Sequence, residues 1–267
     1  MIQWGITCFF DKKEDFRKIL ELAPNYPVSF LEIRGERPFF APEDLSSSDI
    51  NFFQKIIEKS ELRVTLHSTF YDINLSTINS YLQKATVDCY KKYLDLAAII
   101  GAEIMVVHAG HIHKDAVAHQ EIQKIAQTNL VNNMQILGDY AAVKNVDIAL
   151  ENSPPNPNQL MVWEPHRHVE ILKLINHSHI KALFDIAHAF LHGHDISKYY
   201  EMIKPFLTEI HIHNNDGHTD QHRSVTTGAI DYDSFFRNHT VSVPVIMEIR
   251  NIEEALQSLE WIKKFNE

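Results

Sequence analysis

The stretch Ile180-Lys181-Ala182-Leu183-Phe184-Asp185 is a short apolar run that ends on a carboxylate. Five other runs share its plan. Arg63-Val64-Thr65-Leu66 leads into His67, and Ile104-Met105-Val106-Val107 leads into His108. Asp147-Ile148-Ala149-Leu150 leads into Glu151, Glu209-Ile210-His211-Ile212 into His213, and Val245-Ile246-Met247 into Glu248. Runs this short and this rich in Ile, Val, Leu and Phe read as strands buried on both faces. A metal-binding residue type at the C-terminal end of strand after strand is how a parallel β/α barrel assembles an active site.

Two more strand-like segments, Ile2–Thr7 and Ser29–Ile33, bring the number to eight. Amphipathic patterns lie between the strands. Residues 49–59 carry Phe52, Phe53, Ile56 and Ile57; residues 80–100 carry Leu82, Val87, Tyr90, Tyr93, Leu94 and Ala97. Residues 116–143 carry Ile122, Ile125, Ala126, Leu130, Met134 and Leu137, again at spacings near three and four. Asp11 is placed to cap the first helix, and Ser47 or Ser48 the second. Gly101 suits a left-handed C-terminal position, and Pro154-Pro155-Asn156-Pro157 enforces a rigid loop after Glu151. No linker or low-complexity stretch divides the chain. The expectation is an α/β fold: residues 1–267 as a single (β/α)8 TIM barrel domain, with its active site at the C-terminal ends of the strands. A doubly wound open sheet ranks second, because no Gly-rich phosphate loop follows any strand.

The bulk numbers agree. The chain has 267 residues, close to the ~250 that such a barrel needs. No apolar run reaches the ~18 residues of a membrane span, no signal peptide is apparent, and Cys8 and Cys89 are too few for a disulfide framework. A cytoplasmic protein without membrane partners is expected. The formal charge of -10 disfavours a nucleic-acid partner, although bound divalent cations would offset much of it and attract phosphate. Histidine is over-represented, at 17 residues.

In a closed barrel, the ends of distant strands converge. Glu151, Asp185 and Glu248 would repel one another without a cation. With His213 they form a set suited to Mn or Mg as well as Zn, with Co also possible. His67, His108, His188, Asp220 and His222 extend the set to nine donors, enough for up to three metals. His211 reads as a residue that simply points into the barrel. His111, His113, His192, His194 and His218 read as solvent-exposed loop residues. Independent helix caps would account for single acids, but not for acids together with histidines at strand after strand.

These residues carry a resemblance. The chain resembles the xylose isomerase-like TIM barrel superfamily, which includes endonuclease IV and many sugar phosphate isomerases and epimerases. The resemblance rests on His67-Ser68-Thr69-Phe70 with Ile73-Asn74-Leu75, Val107-His108-Ala109-Gly110, Leu150-Glu151-Asn152 and Phe184-Asp185-Ile186-Ala187-His188-Ala189. It continues through His213-Asn214-Asn215-Asp216-Gly217, Asp220-Gln221-His222 and Met247-Glu248. By carry-over, His67, His108 and Glu151 bind one metal; Glu151, Asp185, His213 and Glu248 a second; His188, Asp220 and His222 a third. Single-metal epimerases use the equivalents of Glu151, Asp185, His213 and Glu248, and their two glutamates move the proton.

Two functions follow from this set. The leading one is multinuclear-metal phosphoester hydrolysis on a small sugar-phosphate-type or abasic-type substrate, with a hydroxide near Glu151 as nucleophile. The alternative is a single-metal sugar isomerase or epimerase, with Glu151 and Glu248 as acid and base and His188 touching the substrate. A metal-binding scaffold without catalysis ranks last. Arg223 and Asn74 are expected substrate contacts, and Asn152, Asn74 and Glu32 are expected to orient ligands. Trp4, Phe70, Tyr71 and Trp163 are expected either to line a pocket or to fill the core. Basic residues do not cluster in the strand-end loops, which counts against DNA as the substrate.

Overall fold

The structure, a computed structural model, describes residues 1–8 and 13–265. Eight strands form its centre: β1 (Gln3–Cys8), β2 (Val28–Gly35), β3 (Arg63–Ser68), β4 (Ala102–His108), β5 (Asp147–Glu151), β6 (Ile180–Asp185), β7 (Leu207–Ile212) and β8 (Pro244–Ile249). Each is parallel to its neighbours, and β1 pairs with both β2 and β8, so the sheet closes into a barrel. Closure excludes the open doubly wound alternative. A two-stranded antiparallel ribbon, His111–Ile112 with Gln159–Leu160, sits outside the barrel and was not foreseen.

The helices between the strands confirm the periodicity and shift some boundaries. Helix α1 (Lys13–Leu22) follows β1; its expected cap, Asp11, lies outside the described residues. Helix α2 (Ser47–Ser60) is capped by Ser46, one residue earlier than expected. The Ser46 side chain accepts from the Asp49 N–H, and Asp49 accepts from the Ser46 N–H in return. Helix α3 (Ser80–Ile100) has its expected ends, and Gly101 closes it with a φ of 75°. Helix α4 (Gln120–Lys144) starts later than its apolar pattern suggests. Helix α5 (Pro165–Ile175) precedes β6. After β6 comes a short helix, α6 (Ile186–Leu191), and then α7 (Ile196–Ile203). Helices α8 (Tyr232–Asn238) and α9 (Ile252–Ile262) flank β8.

The main core lies between the barrel and its helices. Trp4 belongs there: it is fully buried, with Phe236 and Trp261 at 5.1 and 5.6 Å. The barrel interior is separate. Ile104, Val106, Ala149 and Leu183 form a small apolar cluster of their own. Strand alternation puts residues two positions further along on the same inward face. Those residues are His108, Glu151 and Asp185. The apolar plug therefore forms the floor beneath the ligand types.

Candidate metal centre at the C-terminal end of the barrel

Register builds the site. Arg34 pairs with His67, His108 with Glu151 and Asp185 with His211, so the inward-facing residues form one level. His213 lies just past the end of β7, and Asp220 and His222 lie in the loop beyond it. All nine donors named from the sequence converge. His67 Nε2 and His108 Nε2 lie 3.4 and 3.0 Å from Glu151 Oε2. His213 Nε2 is 3.2 Å from Asp185 Oδ2 and 3.6 Å from Asp220 Oδ1. His222 Nε2 is 3.1 Å from Asp220 Oδ2, and His222 Nδ1 is 3.5 Å from Glu248 Oε2. His188 touches Glu151 at 3.2 Å and Asp220 at 3.4 Å.

His67, His188, His222 and His108 are each held through Nδ1, with Nε2 turned toward the site. Nδ1 of His67 meets the Ser68 carbonyl at 2.9 Å, and that of His188 the Asn152 carbonyl at 2.8 Å. Nδ1 of His222 meets the Glu248 carbonyl at 3.0 Å, and that of His108 the Ser153 hydroxyl at 3.3 Å. A carbonyl accepts only from N–H, so in the first three Nδ1 carries a proton, and Nε2 is the atom turned toward the site that a cation would engage. His222 adopts a φ of 49°, a conformation that costs ~1–3 kcal/mol and persists where surroundings impose it.

His211 is the residue that the sequence undervalued. It lies inside β7, fully buried, and its ring is turned the other way. Its Nε2 is 3.1 Å from both Glu32 Oε2 and Glu209 Oε1. Its Nδ1 faces the centre, 3.8 Å from Glu151 Oε1 and 3.6 Å from Glu248 Oε2. The signal was available: a His-x-His pair on a strand puts both rings on the inward face. Arg34 was also passed over. It is buried on β2, donates to Glu248 and pairs with Glu36 at 3.0 Å.

The donor chemistry fits divalent cations. Both Glu151 oxygens, Asp185 Oδ2, Asp220 Oδ1, His188 Nε2, His211 Nδ1 and both His213 nitrogens are buried without a hydrogen-bond partner. Orphaned polar atoms at this density are costly unless something occupies the space between them. Among the described residues, five groupings bring donor atoms within 4.8 Å of one another: His67, His108 and Glu151; Glu151, Asp185 and His211; Asp185, His213 and Glu248; His188, His213, Asp220 and His222; and Glu32, Glu209 and His211. The electrostatics are those of tightly coupled neighbours. Burial raises the Glu151 carboxyl, but His108, His188 and His67 outweigh it and hold it well below the usual range. Burial likewise opposes ionisation of Glu248, and His222 and Arg34 overcome it. His213 is pushed down by burial and by His222, whose ring stacks on its own at 4.0 Å.

Asp185 divides its carboxylate. Oδ1 accepts the His188 N–H at 2.7 Å, capping α6, while Oδ2 faces the site. Asn152 ties β5 to β6, accepting from the Asp185 N–H and donating to the Asp185 carbonyl, each at 2.8 Å. The pocket above the donors holds about 150 Å³, with Arg34, Phe70 and Glu248 among its walls.

Several expected contacts fall elsewhere. The two hydrogen-bonding ends of the Asn74 amide are used up. Its Nδ2 donates to the His111 carbonyl, and its Oδ1 accepts from the Ser76 N–H and hydroxyl and the His111 N–H. It braces two loops and does not line the pocket. Arg223 is held as backbone, exchanging both hydrogen bonds with Asn214 at 3.0 Å, and is likewise absent from the pocket wall. Phe70 does line it, with its ring 4.7 Å from that of His108. Tyr71 is largely exposed. His113 and His218 are exposed as expected, but His111, His192 and His194 are half-buried. Trp163 packs against the last two.

Comparison with known proteins agrees with this architecture. A family model described as "Xylose isomerase-like TIM barrel" matches residues 20–265. An uncharacterised protein of Methanocaldococcus jannaschii, MJ1311, is 25% identical over 100% of this chain and 90% of its own. Fructoselysine 3-epimerase of Escherichia coli O157:H7 is 20% identical over 72% of this chain and 69% of its own. A crystallised D-tagatose 3-epimerase-like protein superposes with a TM-score of 0.83 at 21% identity, covering 99% of this chain and 97% of that one.

Proposed function

The chain belongs to the xylose isomerase-like TIM barrel family, and on that premise we propose that it is a divalent-metal-dependent sugar epimerase or isomerase. One observation carries the reading: Glu151 and Glu248 approach His211 Nδ1 from different strands, at 3.8 and 3.6 Å. Two carboxylates flanking one small pocket are the arrangement needed to remove a proton from one face of a carbon and return it to the other. A cation bound by Glu151, Asp185 and Glu248 with His213, the set expected from the sequence, or with His211 would supply positive charge for the developing enediolate oxygens.

The remaining steps belong to the chain. One glutamate takes the proton next to the substrate carbonyl, and the other delivers a proton to the opposite face. Arg34 keeps Glu248 ionised between turnovers. His188, anchored on Asn152, points its Nε2 into the site within reach of a substrate hydroxyl. Among the described residues, Arg34 is the Lys or Arg side chain of the pocket walls, and it is already paired with Glu248 and Glu36. That favours a neutral sugar over a phosphorylated one and supports an epimerase-type substrate.

The hydrolytic reading, first on sequence grounds, becomes second. What favours it is the pair of flanking donor groups, His67–His108–Glu151 and His188–His213–Asp220–His222, which a one-metal epimerase does not need. The test is to incubate the metal-loaded protein with ketohexoses in D₂O and follow deuterium uptake at carbon by NMR, alongside a phosphoester cleavage assay. His67→Ala and His222→Ala retain most of the exchange activity if one metal suffices. Loss of all exchange, with chelator-sensitive phosphoester cleavage in the wild type, reverses the order of the two readings.

A further inference from the structure

The ribbon formed by His111–Ile112 and Gln159–Leu160 separates two spaces. Leu160 lines the metal-facing pocket and also a second groove, of about 660 Å³, that runs away from it. The first space, at about 150 Å³, takes roughly one six-membered ring. A further part of a substrate that crosses Leu160 arrives in the groove.

The groove is built for a neutral polar group with a flat apolar face. Trp163 lines it and also an adjoining recess shared with Pro155 and His192. One side of its indole is backed by His194, stacked at 5.6 Å and 30°, so the ring is held in place as a platform. Gln159 Oε1 and His194 Nε2 are buried in the groove wall with no hydrogen-bond partner. Gln123 and Gln127 line it too. Each is braced by one end of its amide: Gln123 Nε2 donates to the Val117 carbonyl, and Gln127 Oε1 accepts from Arg167. Amides both donate and accept, which suits hydroxyl groups better than it suits a phosphate or carboxylate. The charged side chains of the wall leave little for an anion: Lys124 and Glu164 line it with opposite signs, and Arg167 is already paired with Glu170 and Gln127.

We propose that this groove is a second sugar subsite, and that the substrate is a reacting ketose bearing a further glycosyl unit that packs on Trp163. This rests on the sugar reading of the metal-facing pocket, but the groove can be tested apart from it. The probes are D-fructose and isomaltulose, a ketodisaccharide in which a glucosyl unit is joined to fructose. Binding to the metal-loaded protein is followed by calorimetry and by the indole N–H signal of Trp163 in ¹H–¹⁵N spectra, assigned with Trp163→Phe.

Isomaltulose is expected to move the Trp163 signal and to bind about tenfold more tightly than fructose. Trp163→Ala is expected to erase that preference while leaving fructose binding unchanged, and Gln159→Ala, a milder change, to reduce it. An unmoved Trp163 signal, or a preference that survives Trp163→Ala, overturns the proposal. Deuterium exchange into fructose is read on the same samples. A shifted Trp163 signal without exchange rejects the epimerase chemistry and leaves the subsite standing. Exchange without the shift does the reverse.

Discussion

His211 Nε2 lies 3.1 Å from Glu32 Oε2, so a single hydrogen bond spans the barrel from β7 to β2 between residues 179 apart in sequence. Glu209 contributes a second acceptor at the same distance. The pair fixes the ring so that Nδ1 faces the site. Partners of this kind change metal affinity ~10–100-fold when removed. Glu32→Gln and Glu209→Gln are each expected to weaken manganese binding within that range, measured by calorimetric titration of chelator-stripped protein. Wild-type affinity in both variants would show that the ring is held by packing alone.

Arg34 is the buried counter-charge of Glu248. Removing one member of a buried pair leaves an uncompensated charge and costs ~3–5 kcal/mol. Arg34→Met, which keeps most of the volume, should lower the unfolding free energy of the metal-free protein by about 3 kcal/mol. Added manganese should recover much of that loss, because it supplies the missing positive charge. Denaturant titration with and without metal checks both parts.

Glu248→Gln removes a proton carrier while keeping its shape. If the pair of glutamates moves the proton, the rate of carbon-bound deuterium exchange should fall ~10²–10⁴-fold. A fall below tenfold would assign the proton transfer to another group.

His168 gives a pH dependence away from the donors. Burial pushes it down to about 4, with its ring nitrogens against the Leu150 carbonyl and the Tyr199 hydroxyl. The folded value is below the unfolded one, near 6.5, so the unfolded chain takes up the proton first. The stabilising contribution is complete above about pH 6.5 and is lost as pH falls toward 4. The shift corresponds to about 3 kcal/mol. Comparing urea unfolding at pH 7.5 and pH 4.5, His168→Gln should lose less stability than the wild type. Equal losses in the two proteins would refute a buried neutral imidazole.

Gly110 sits at a φ of +88°, and a Cβ there would lie 2.0 Å from Asn74 Oδ1. Gly110→Ala therefore combines backbone strain with loss of the Asn74 brace. It should cost about 2 kcal/mol and lower the melting temperature by several degrees. An unchanged melting curve would mean that the two loops are not coupled.

The barrel was legible because the strand ends repeat one plan: a short apolar run, then a ligand type. The helices were legible wherever apolar spacing persisted, as in residues 80–100. What escaped notice has identifiable causes. His211 was discounted because it precedes a strand end, although alternation gives it the same face as the site. Arg34 looked like part of a loop because β2 extends past Ile33 to Gly35. Asn74 and Arg223 have suitable chemistry, but local backbone hydrogen bonds engage one and place the other off the pocket wall; spacing reports neither. The ribbon was missed because each of its strands is two residues long, too short for any period to register.

The divided carboxylate of Asp185 sets a limit on how this molecule can change. One oxygen starts a helix while the other faces the reacting space, and Asn152 clasps the backbone N–H and carbonyl of the same residue. Scaffold and chemistry have no slack between them at this point. Moving Asp185 to serve a new reaction would unseat α6 and the edge of β6 together. New specificity is therefore cheaper to reach through the ribbon and the long loops, which can be rebuilt while the donors keep their places.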